Sequence, residues 1–298
     1  MRTLFHSRFY SLTAACALTA AALLAPSKSL LAEGTLAQSA HRIVAVGGSV
    51  TEIVFALGEE DRLVARDTTS NHPASAAKLP DVGYIRALSP EGVMSVDPDL
   101  ILMLEGSGPV ETVDVLKKSG VAIADIPEEF TDQGILNKVL AVGEALGVPE
   151  KAEKLAEKLK VDLETAQSEA DMSSSDLRVL FILTARDGRI LASGSETAAS
   201  GIIALAGARN AVDDFSGYKQ LSDEAVLSAA PDVVLMMQRG ENHNVHPEEV
   251  FDHPALAQTP AGQNKRVIVM GGQYLLGFGP RTADAIRELS DQLSDIRS

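Results

Sequence analysis

Tyr84 and Arg86 form a pair whose types and spacing suit metal binding, because the phenol oxygen of Tyr84 could bind the ion and a guanidinium two residues away would favour the ionised phenol. A tyrosine phenol ordinarily loses its proton at a pKa of about 10, but a ferric ion or a neighbouring guanidinium favours the phenolate. A phenolate is a hard oxygen ligand and suits ferric iron. A loop tyrosine at this position could instead pack against Pro80 or Leu88, and the spacing by itself leaves both interpretations open.

The segment that follows Tyr84 occurs twice in the chain. Residues 88–102 read LSPEGVMSVDPDLIL and residues 221–235 read LSDEAVLSAAPDVVL, with eight of fifteen positions identical. A Gly-Tyr pair stands just before each copy, so Tyr218 is the repeat counterpart of Tyr84. We therefore predict two related lobes that face each other across a ligand-binding cleft. For Tyr218, core packing beside Phe215 is the alternative.

Short apolar runs alternate with helical patterns in both halves of the chain. The predicted strands are 42–46, 63–65, 100–104, 121–123, 177–183, 233–237 and 267–270. The clearest predicted helices are 51–57, 110–118, 198–205 and 282–293, and Ser89 and Ser222 are expected to cap the repeated helices. Strands that are continuously apolar and rich in β-branched residues, and that alternate with helices, are typical of a parallel sheet covered on both faces. The predicted fold class is α/β, with two Rossmann-like lobes that each contain a central parallel sheet.

Residues 131–172 are predicted to be almost entirely helical and to join the lobes. Gly147-Val148-Pro149 breaks this segment, and proline is favoured in the first turn of a helix. The helix after it keeps one apolar stripe over a length of roughly 30–35 Å. Such a helix would hold the two lobes rigidly relative to each other and limit their closure. The predicted division is an N-terminal lobe at 38–130, the linker, and a C-terminal lobe at 173–298.

Residues 1–37 are predicted to be a secretory signal peptide. Arg2 and Arg8 precede an apolar stretch, 12–25, that is too short to span a bilayer comfortably. Small residues follow, and we expect cleavage near Ala32 or Ala37. A retained membrane anchor, or a lipoprotein modified at Cys16, is the alternative.

The composition excludes several classes of function. The formal net charge is −15, and removing residues 1–37, which carry three basic residues and one acidic residue, changes it to −17. So acidic a protein is unsuited to the phosphates of nucleic acid. Cys16 is the single cysteine, so the mature chain would have no cysteine nucleophile. Gly47-Gly48-Ser49 suggests a phosphate-binding loop but lacks the patterns of one, and no other catalytic motif is present, so we do not expect an enzyme.

The chain resembles the periplasmic haem-binding proteins of bacterial haem ABC importers. These belong to the helix-linked class of substrate-binding proteins (class III), which also carries ferric siderophores and vitamin B12. The discriminating segments are 83–92, GYIRALSPEG, and 274–281, YLLGFGPR. The resemblance implies a periplasmic protein that captures ferric haem b and delivers it to an ABC permease dimer with its ATPase. A ferric-siderophore or cobalamin carrier of the same class is the alternative.

The resemblance also implies roles for individual residues. The expected haem contacts are Tyr84, Arg86, Arg239, Tyr218, Met237 and Tyr274. Tyr84 would ligate the iron, Arg86 would donate to its phenolate oxygen, and Arg239 would reach the haem from the opposite lobe. For either arginine, an ordinary solvated surface position is the alternative.

The resemblance leaves the stoichiometry and the sixth ligand open. The cleft could hold one haem or two, and His72, His243 or His246 could supply a sixth iron ligand. Glu111 and Glu249 follow equivalent strands of the two lobes and are expected to dock on the two permease subunits. A monomer is expected, with an outer-membrane haem receptor as a possible upstream partner.

Overall fold

Buried β-branched runs form the centre of each lobe in the computed structural model, which describes residues 40–171, 177–186, 188–238 and 247–297. The strands of the first lobe are β1 (Ile43–Val46), β2 (Leu63–Arg66), β3 (Leu100–Leu104) and β4 (Ala122–Ile126). They form a parallel sheet in the order β2-β1-β3-β4. Every residue of β1 and β3 is buried, because helices cover both faces of a parallel sheet.

Three helices belong to the first lobe: α1 (Gly48–Ala56), α2 (Pro90–Met94) and α3 (Val110–Lys117). The repeated serine caps α2, because the Ser89 hydroxyl accepts the N–H of Gly92 at 3.0 Å. In the second copy, the Ser222 hydroxyl accepts the N–H of Ala225 at 3.2 Å. The predicted caps are thus confirmed in both copies, and each satisfies an N–H that the first helical turn leaves unpaired.

The second lobe repeats this topology and extends it. Its strands are β5 (Arg178–Arg186), β6 (Arg189–Ser193), β7 (Arg209–Asn210), β8 (Tyr218–Leu221), β9 (Val233–Gln238) and β10 (Val267–Gly271). The parallel order β7-β5-β9-β10 matches β2-β1-β3-β4 of the first lobe. Strands β6 and β8 add an antiparallel ladder beside β5. The sequence patterns predicted the parallel part and missed the antiparallel one, so the second sheet is mixed.

The second lobe also carries the remaining helices that lie outside the linker. They are α6 (Ala198–Leu205), α7 (Asp223–Ala229), α8 (Pro254–Ala257), α9 (Pro260–Gln263), α10 (Gly272–Leu276) and α11 (Thr282–Arg297).

The repeated Pro-Asp pairs fasten the start of the central strand in each lobe. Asp99 accepts the backbone N–H groups of His41 and Arg42 at 2.9 and 3.0 Å, next to β1. Asp232 accepts the N–H of Arg178, the first residue of β5, at 2.9 Å.

The segment between the lobes forms α4 (Asp132–Ala145) and α5 (Pro149–Asp171). The 23 residues of α5 give a rod of about 34 Å. The buried stripe of α5, which packs against α4 and α11, consists of Ala152, Ala156, Leu159, Leu163, Ala166 and Ala170. Among the described residues, no helix is long and apolar enough to cross a bilayer.

One hydrophobic core runs through both lobes. It includes Ile43 of β1, Val139 of α4, Leu163 of α5, Phe181 of β5 and Ile286 of α11. Two smaller cores, around Val93 in the first lobe and Val226 in the second, fill the faces of the sheets that point away from α5. The lobes are therefore fastened together by shared apolar packing as well as by the chain.

Candidate ligand-binding cleft

Tyr84 lies in the loop that leads into α2, and 47% of its surface is exposed. Among the described residues its side chain makes no hydrogen bond, whereas the loop backbone is firmly held. The carbonyl of Ile85 accepts the N–H of Gly108 at 2.9 Å, and the N–H of Leu88 donates to the carbonyl of Gly108 at 2.9 Å. Leu88 is buried, so the loop has a fixed inner side and presents the phenol outward.

Arg86 is exposed on the same loop, and its guanidinium makes no hydrogen bond or ion pair within the described residues. Burial raises the pKa of the Tyr218 phenol in the opposite lobe, and the charge of Arg86 opposes that rise. Arg86 and Tyr218, which belong to different lobes, are therefore close enough for an electrostatic interaction. A hydrogen bond from Arg86 to Tyr84 is not among the contacts of the described residues, and that role stays a prediction.

Tyr218 opens β8, and its ring is 36% exposed. The ring packs edge-on against Phe181, with centroids 6.5 Å apart. Burial raises the pKa of Tyr218, while a hydrogen bond with Ser193 and the charge of Arg86 oppose that rise. The Tyr218 phenol therefore stays protonated at neutral pH and is suited to donate a hydrogen bond.

Tyr274 and Met237 are half-buried and pack on the shared core. The guanidinium carbon of Arg281 lies 5.1 Å from the centroid of the Tyr274 ring. Burial, the charges of Glu288 and Asp284, and a hydrogen bond with Glu288 raise the pKa of Tyr274 to about 12. The carboxylates that act on the Tyr274 phenol both belong to α11. A haem contact by Met237 or Tyr274 stays a prediction.

The other predicted site residues have the following places. His72 is exposed, and Arg239, His243 and His246 lie outside the described residues. Glu111 lies in the first turn of α3 and Glu249 in the 3-10 helix Pro247–Asp252, and both are exposed. No group of three or more His, Cys, Asp or Glu side chains placed to hold a metal ion occurs in the described part of the chain.

A polar cluster that the sequence patterns did not reveal joins the lobes. We call it the interlobe junction; it consists of Ser49, Glu52, Glu128, Lys138, Phe278 and Arg281. Lys138 is fully buried, and its ammonium lies 2.6 Å from a carboxylate oxygen of Glu128. It also donates to the carbonyl oxygen of Phe278 at 2.9 Å. Lys138 therefore ties α4 of the linker to the loop after β4 and to the second lobe.

A second ion pair crosses the lobes at the same junction. The Arg281 guanidinium donates from Nε and Nη2 to the two carboxylate oxygens of Glu52, at 2.9 and 2.6 Å. Paired, parallel bonds of this kind are among the stronger charge-assisted hydrogen bonds. One sequence signal could have identified Lys138. A lysine within the apolar stripe of α4 departs from the helical pattern, in which charged residues face solvent.

Burial acts on both members of the Lys138–Glu128 pair. It raises the pKa of Glu128, against the charge and the hydrogen bond of Lys138. It lowers the pKa of Lys138, against the charge and the hydrogen bond of Glu128. Each ion is held in place by its partner at the cost of lost hydration, so removing one partner would leave an uncompensated charge in the core.

The start of α1 is not available to a phosphate. The N–H of Gly47 donates to Asp67 Oδ1 at 3.0 Å, and the N–H of Gly48 donates to Thr69 Oγ1 at 3.0 Å. Asp67 is buried and also accepts the hydroxyls of Thr69 and Ser70, both at 2.7 Å. These glycine amides therefore serve to fasten α1 to the end of β2.

The chain matches a known family over most of its length. A sequence model of the family described as "Periplasmic binding protein" matches residues 43–274. Among curated proteins, the uncharacterised ABC transporter substrate-binding lipoprotein YvrC of Bacillus subtilis (strain 168) is 27% identical, over 87% of this chain and 82% of that protein. The vitamin B12-binding protein of Yersinia pestis (strain Pestoides F) is also 27% identical, over 87% and 89%.

Two solved structures of periplasmic haem-binding proteins have the same fold. The structure of BhuT in complex with two haems is 36% identical, covers 86% of this chain and 99% of that chain, and gives a TM-score of 0.81. RhuT from Roseiflexus sp. RS-1, in apo form, is 34% identical, with coverage of 87% and 100% and a TM-score of 0.82. The predicted two-lobed α/β fold and the predicted resemblance to haem-binding members of the class are thereby confirmed.

Proposed function

The chain belongs to the periplasmic binding protein family, and on that premise we propose that it captures ferric haem b through Tyr84 and delivers it to an ABC permease. Members of this family bind substrates for transport and are not enzymes, as predicted for this chain. As the substrate-binding protein of an ABC importer, it works with a permease and an ATPase. The identity of the cargo and of its ligand is the proposed part.

The exposed phenol of Tyr84 is the observation that carries the proposal. Its loop is fixed by backbone hydrogen bonds while the phenol itself has no partner within the described residues. A group that is held in place yet left unpaired is ready to bind a ligand. Ferric iron would take the phenolate oxygen, and the phenol proton would leave. The likeness to two haem-binding proteins, at 36% and 34% identity, supports haem as the source of that iron.

Tyr218 and Arg86 would complete the polar surroundings of the haem. Because burial raises the pKa of Tyr218, this phenol is better suited to donate a hydrogen bond than to ligate iron as an anion. Arg86 has a free guanidinium fork among the described residues, and such a fork matches a carboxylate. We therefore assign iron to Tyr84 and place Arg86 and Tyr218 at the haem periphery or beside the bound phenolate.

A cobalamin or ferric-siderophore carrier is the second candidate. The vitamin B12-binding relative, at 27% identity over 87% of this chain, favours it. Cobalamin already carries its own lower ligand and has no need of a protein phenolate, so Tyr84 would then be dispensable. The two candidates consequently differ in what removal of a single hydroxyl should do.

Visible spectroscopy tests the proposal. The mature protein is titrated with ferric haem, cyanocobalamin and a ferric catecholate siderophore, in wild type, Tyr84→Phe and Tyr218→Phe. We expect a haem-specific Soret band in wild type, its loss or displacement in Tyr84→Phe, and a retained band in Tyr218→Phe. Because binding releases the phenol proton, the wild-type affinity should rise with pH. Tight binding of cobalamin without a haem response, or an unchanged haem spectrum in Tyr84→Phe, would refute the assignment.

Delivery to the permease completes the proposal. Glu111 and Glu249 are exposed on opposite lobes and would each meet one permease subunit, with Glu248 as a competing residue in the second lobe. The protein would reach the periplasm through a signal peptide cleaved near Ala32 or Ala37. It would act there as a monomer, downstream of an outer-membrane haem receptor.

A further inference from the structure

The position of the Tyr84 side chain depends on the residue just before it. Both backbone groups of Gly83 are hydrogen-bonded: its N–H donates to Asp81 Oδ1 at 2.8 Å, and its carbonyl oxygen accepts the N–H of Thr68 at 3.0 Å. The φ of Gly83 is +109°, in a region where a side chain is disfavoured. The direction in which the chain enters Tyr84 is therefore set by these two bonds.

Asp81 connects this turn to the end of the sheet. Its Oδ1 accepts both the N–H of Gly83 and the hydroxyl of Thr68, the latter at 3.1 Å. Its Oδ2 lies 2.8 Å from Nη1 of Arg66, the last residue of β2. The same Nη1 donates to the backbone carbonyl of Asp67 at 3.0 Å. One carboxylate thus joins the turn before Tyr84 to the end of β2.

The anchors that directly follow Tyr84 are backbone hydrogen bonds, and at the end of the loop the Thr112 hydroxyl donates to the carbonyl of Leu88 at 3.1 Å. The carbonyl of Tyr84 accepts the N–H of Ala87 at 2.7 Å, and the carbonyl of Ile85 accepts the N–H of Gly108. These bonds hold the far side of the turn in any variant that keeps the fold. On the near side, Asp81 is the side chain that accepts a hydrogen bond from the loop backbone.

We propose that Asp81 is the positioning residue of the iron ligand, holding the Gly83 turn so that the Tyr84 phenol points into the cleft. Asp81 does not touch the cargo, and it acts through Tyr84 alone. The inference rests on the proposed function, because it presupposes that Tyr84 ligates the iron. It predicts that loss of a carboxylate outside the cleft changes the electronic spectrum of the bound haem.

The chain offers a matched control for Asp81. Asp99 is also an exposed aspartate that accepts backbone N–H groups, but it fastens the start of β1, whereas Asp81 lies at the opposite end of the parallel strands, next to the last residue of β2. Asp81→Ala, Asp81→Asn and Asp99→Ala are compared with wild type and Tyr84→Phe by haem titration, visible spectroscopy and urea unfolding. Asp81→Asn retains an oxygen that can accept the Gly83 N–H but loses the charge that pairs with Arg66.

We expect Asp81→Ala to weaken haem binding by roughly 10–100-fold, as for other residues that orient a metal ligand, and to shift the Soret or charge-transfer bands. Asp81→Asn should recover part of both. Asp99→Ala should lose stability and keep the wild-type affinity and spectrum. Wild-type affinity and spectrum in Asp81→Ala would overturn the inference. So would equal losses in Asp81→Ala and Asp99→Ala, which would indicate a stability effect only.

The proposed function fails separately, by an unchanged haem spectrum in Tyr84→Phe. In that event the inference falls with it. If Asp81→Ala does not fold, Asp81→Asn and Thr68→Val carry the test. The first weakens the tie to β2, and the second removes the hydroxyl that shares Oδ1 with Gly83. Wild-type spectra in both folded variants would overturn the inference.

Discussion

The cleft rim, formed by Tyr84, Arg86 and Tyr218, and the interlobe junction use polar side chains in opposite ways. At the rim, the phenol of Tyr84 and the guanidinium of Arg86 are exposed and have no hydrogen-bond partner in the described part of the chain. At the junction, Lys138 is fully buried and contacts Glu128, Ser49 and the backbone of Phe278. The junction therefore serves the fold, and the rim is left free for a ligand. Variants at the two regions should separate stability from binding.

Lys138→Met should give the largest change, a loss in the free energy of unfolding of about 3–5 kcal/mol, because it leaves the Glu128 carboxylate buried without a counter-charge. Urea unfolding at pH 7 measures it. Adding Glu128→Gln should recover most of the loss. Since burial raises the pKa of Glu128, the Lys138→Met defect should also shrink as the pH falls through that raised pKa and the carboxyl becomes neutral. A defect that is independent of pH would contradict this account of the pair.

Tyr84→Phe should weaken haem binding and leave the stability of the fold nearly unchanged. Removal of the iron ligand should weaken haem binding by more than about 100-fold, or about 2.7 kcal/mol, because even residues that only orient a ligand are worth 10–100-fold. The free energy of unfolding should hardly change, since the hydroxyl is exposed and makes no hydrogen bond with the residues that the structure describes. Haem titration and urea unfolding of the same preparation measure both quantities. Large losses in both would mean that the rim and the junction are not separable.

Arg86→Ala tests whether the rim residues act on one another across the cleft. Without the guanidinium charge, the pKa of Tyr218 should rise further, because Arg86 is one of the two groups that oppose the effect of burial. Ultraviolet absorbance of the phenolate during alkaline titration measures this shift, with Tyr218→Phe to assign the band. Haem binding should weaken by about tenfold, as expected for the loss of one charged hydrogen bond. An unchanged phenol titration would show that Arg86 and Tyr218 do not interact in solution.

The ring of Tyr274 lies under Arg281 of the interlobe junction. Its raised pKa should make the free energy of unfolding depend on pH. Its pKa is raised to about 12 in the folded chain, whereas an unfolded phenol titrates near 10. The resulting stabilisation is complete below pH 10 and is lost as the pH rises towards 12, because only the unfolded chain ionises in that window. The slope of unfolding free energy against pH above 10 should be shallower in Tyr274→Phe. Identical slopes would place the hydroxyl in solvent.

The smallest effects should come from Glu111 and Glu249, which belong to neither region. Single charge reversals should slow haem uptake by up to about fivefold per site, because exposed ion pairs are weak. The double variant Glu111→Lys, Glu249→Lys should combine both losses nearly additively in free energy, since the sites are far apart. Uptake into vesicles with the cognate importer measures this, with haem titration as control. Full uptake by the double variant would remove the docking assignment.

Local patterns determined much of the fold. The sequence patterns predict the limits of β3 and α6 as the structure has them, because a buried apolar run and a capped apolar helix can each be recognised from a few residues. The repeated segment predicted two related lobes, and its Ser and Asp residues cap and fasten equivalent elements in both. The break before Pro149 separated α4 from the long α5. Each of these features depends on neighbours in sequence or on comparison of the two halves.

Tertiary structure alone decided which polar groups meet. Arg281 pairs with Glu52 although 229 positions separate them, and Lys138 reaches the carbonyl of Phe278 across 140 positions. No periodic pattern encodes such partners, because they depend on how the two lobes pack. The antiparallel strands β6 and β8, which the sequence patterns missed, carry Tyr218 at the start of β8. The sequence therefore determined the two lobes and identified Tyr84 as the candidate ligand. Only packing decided that Tyr84 and Arg86 have no side-chain hydrogen bond among the described residues, while Lys138 and Arg281 of the junction are paired.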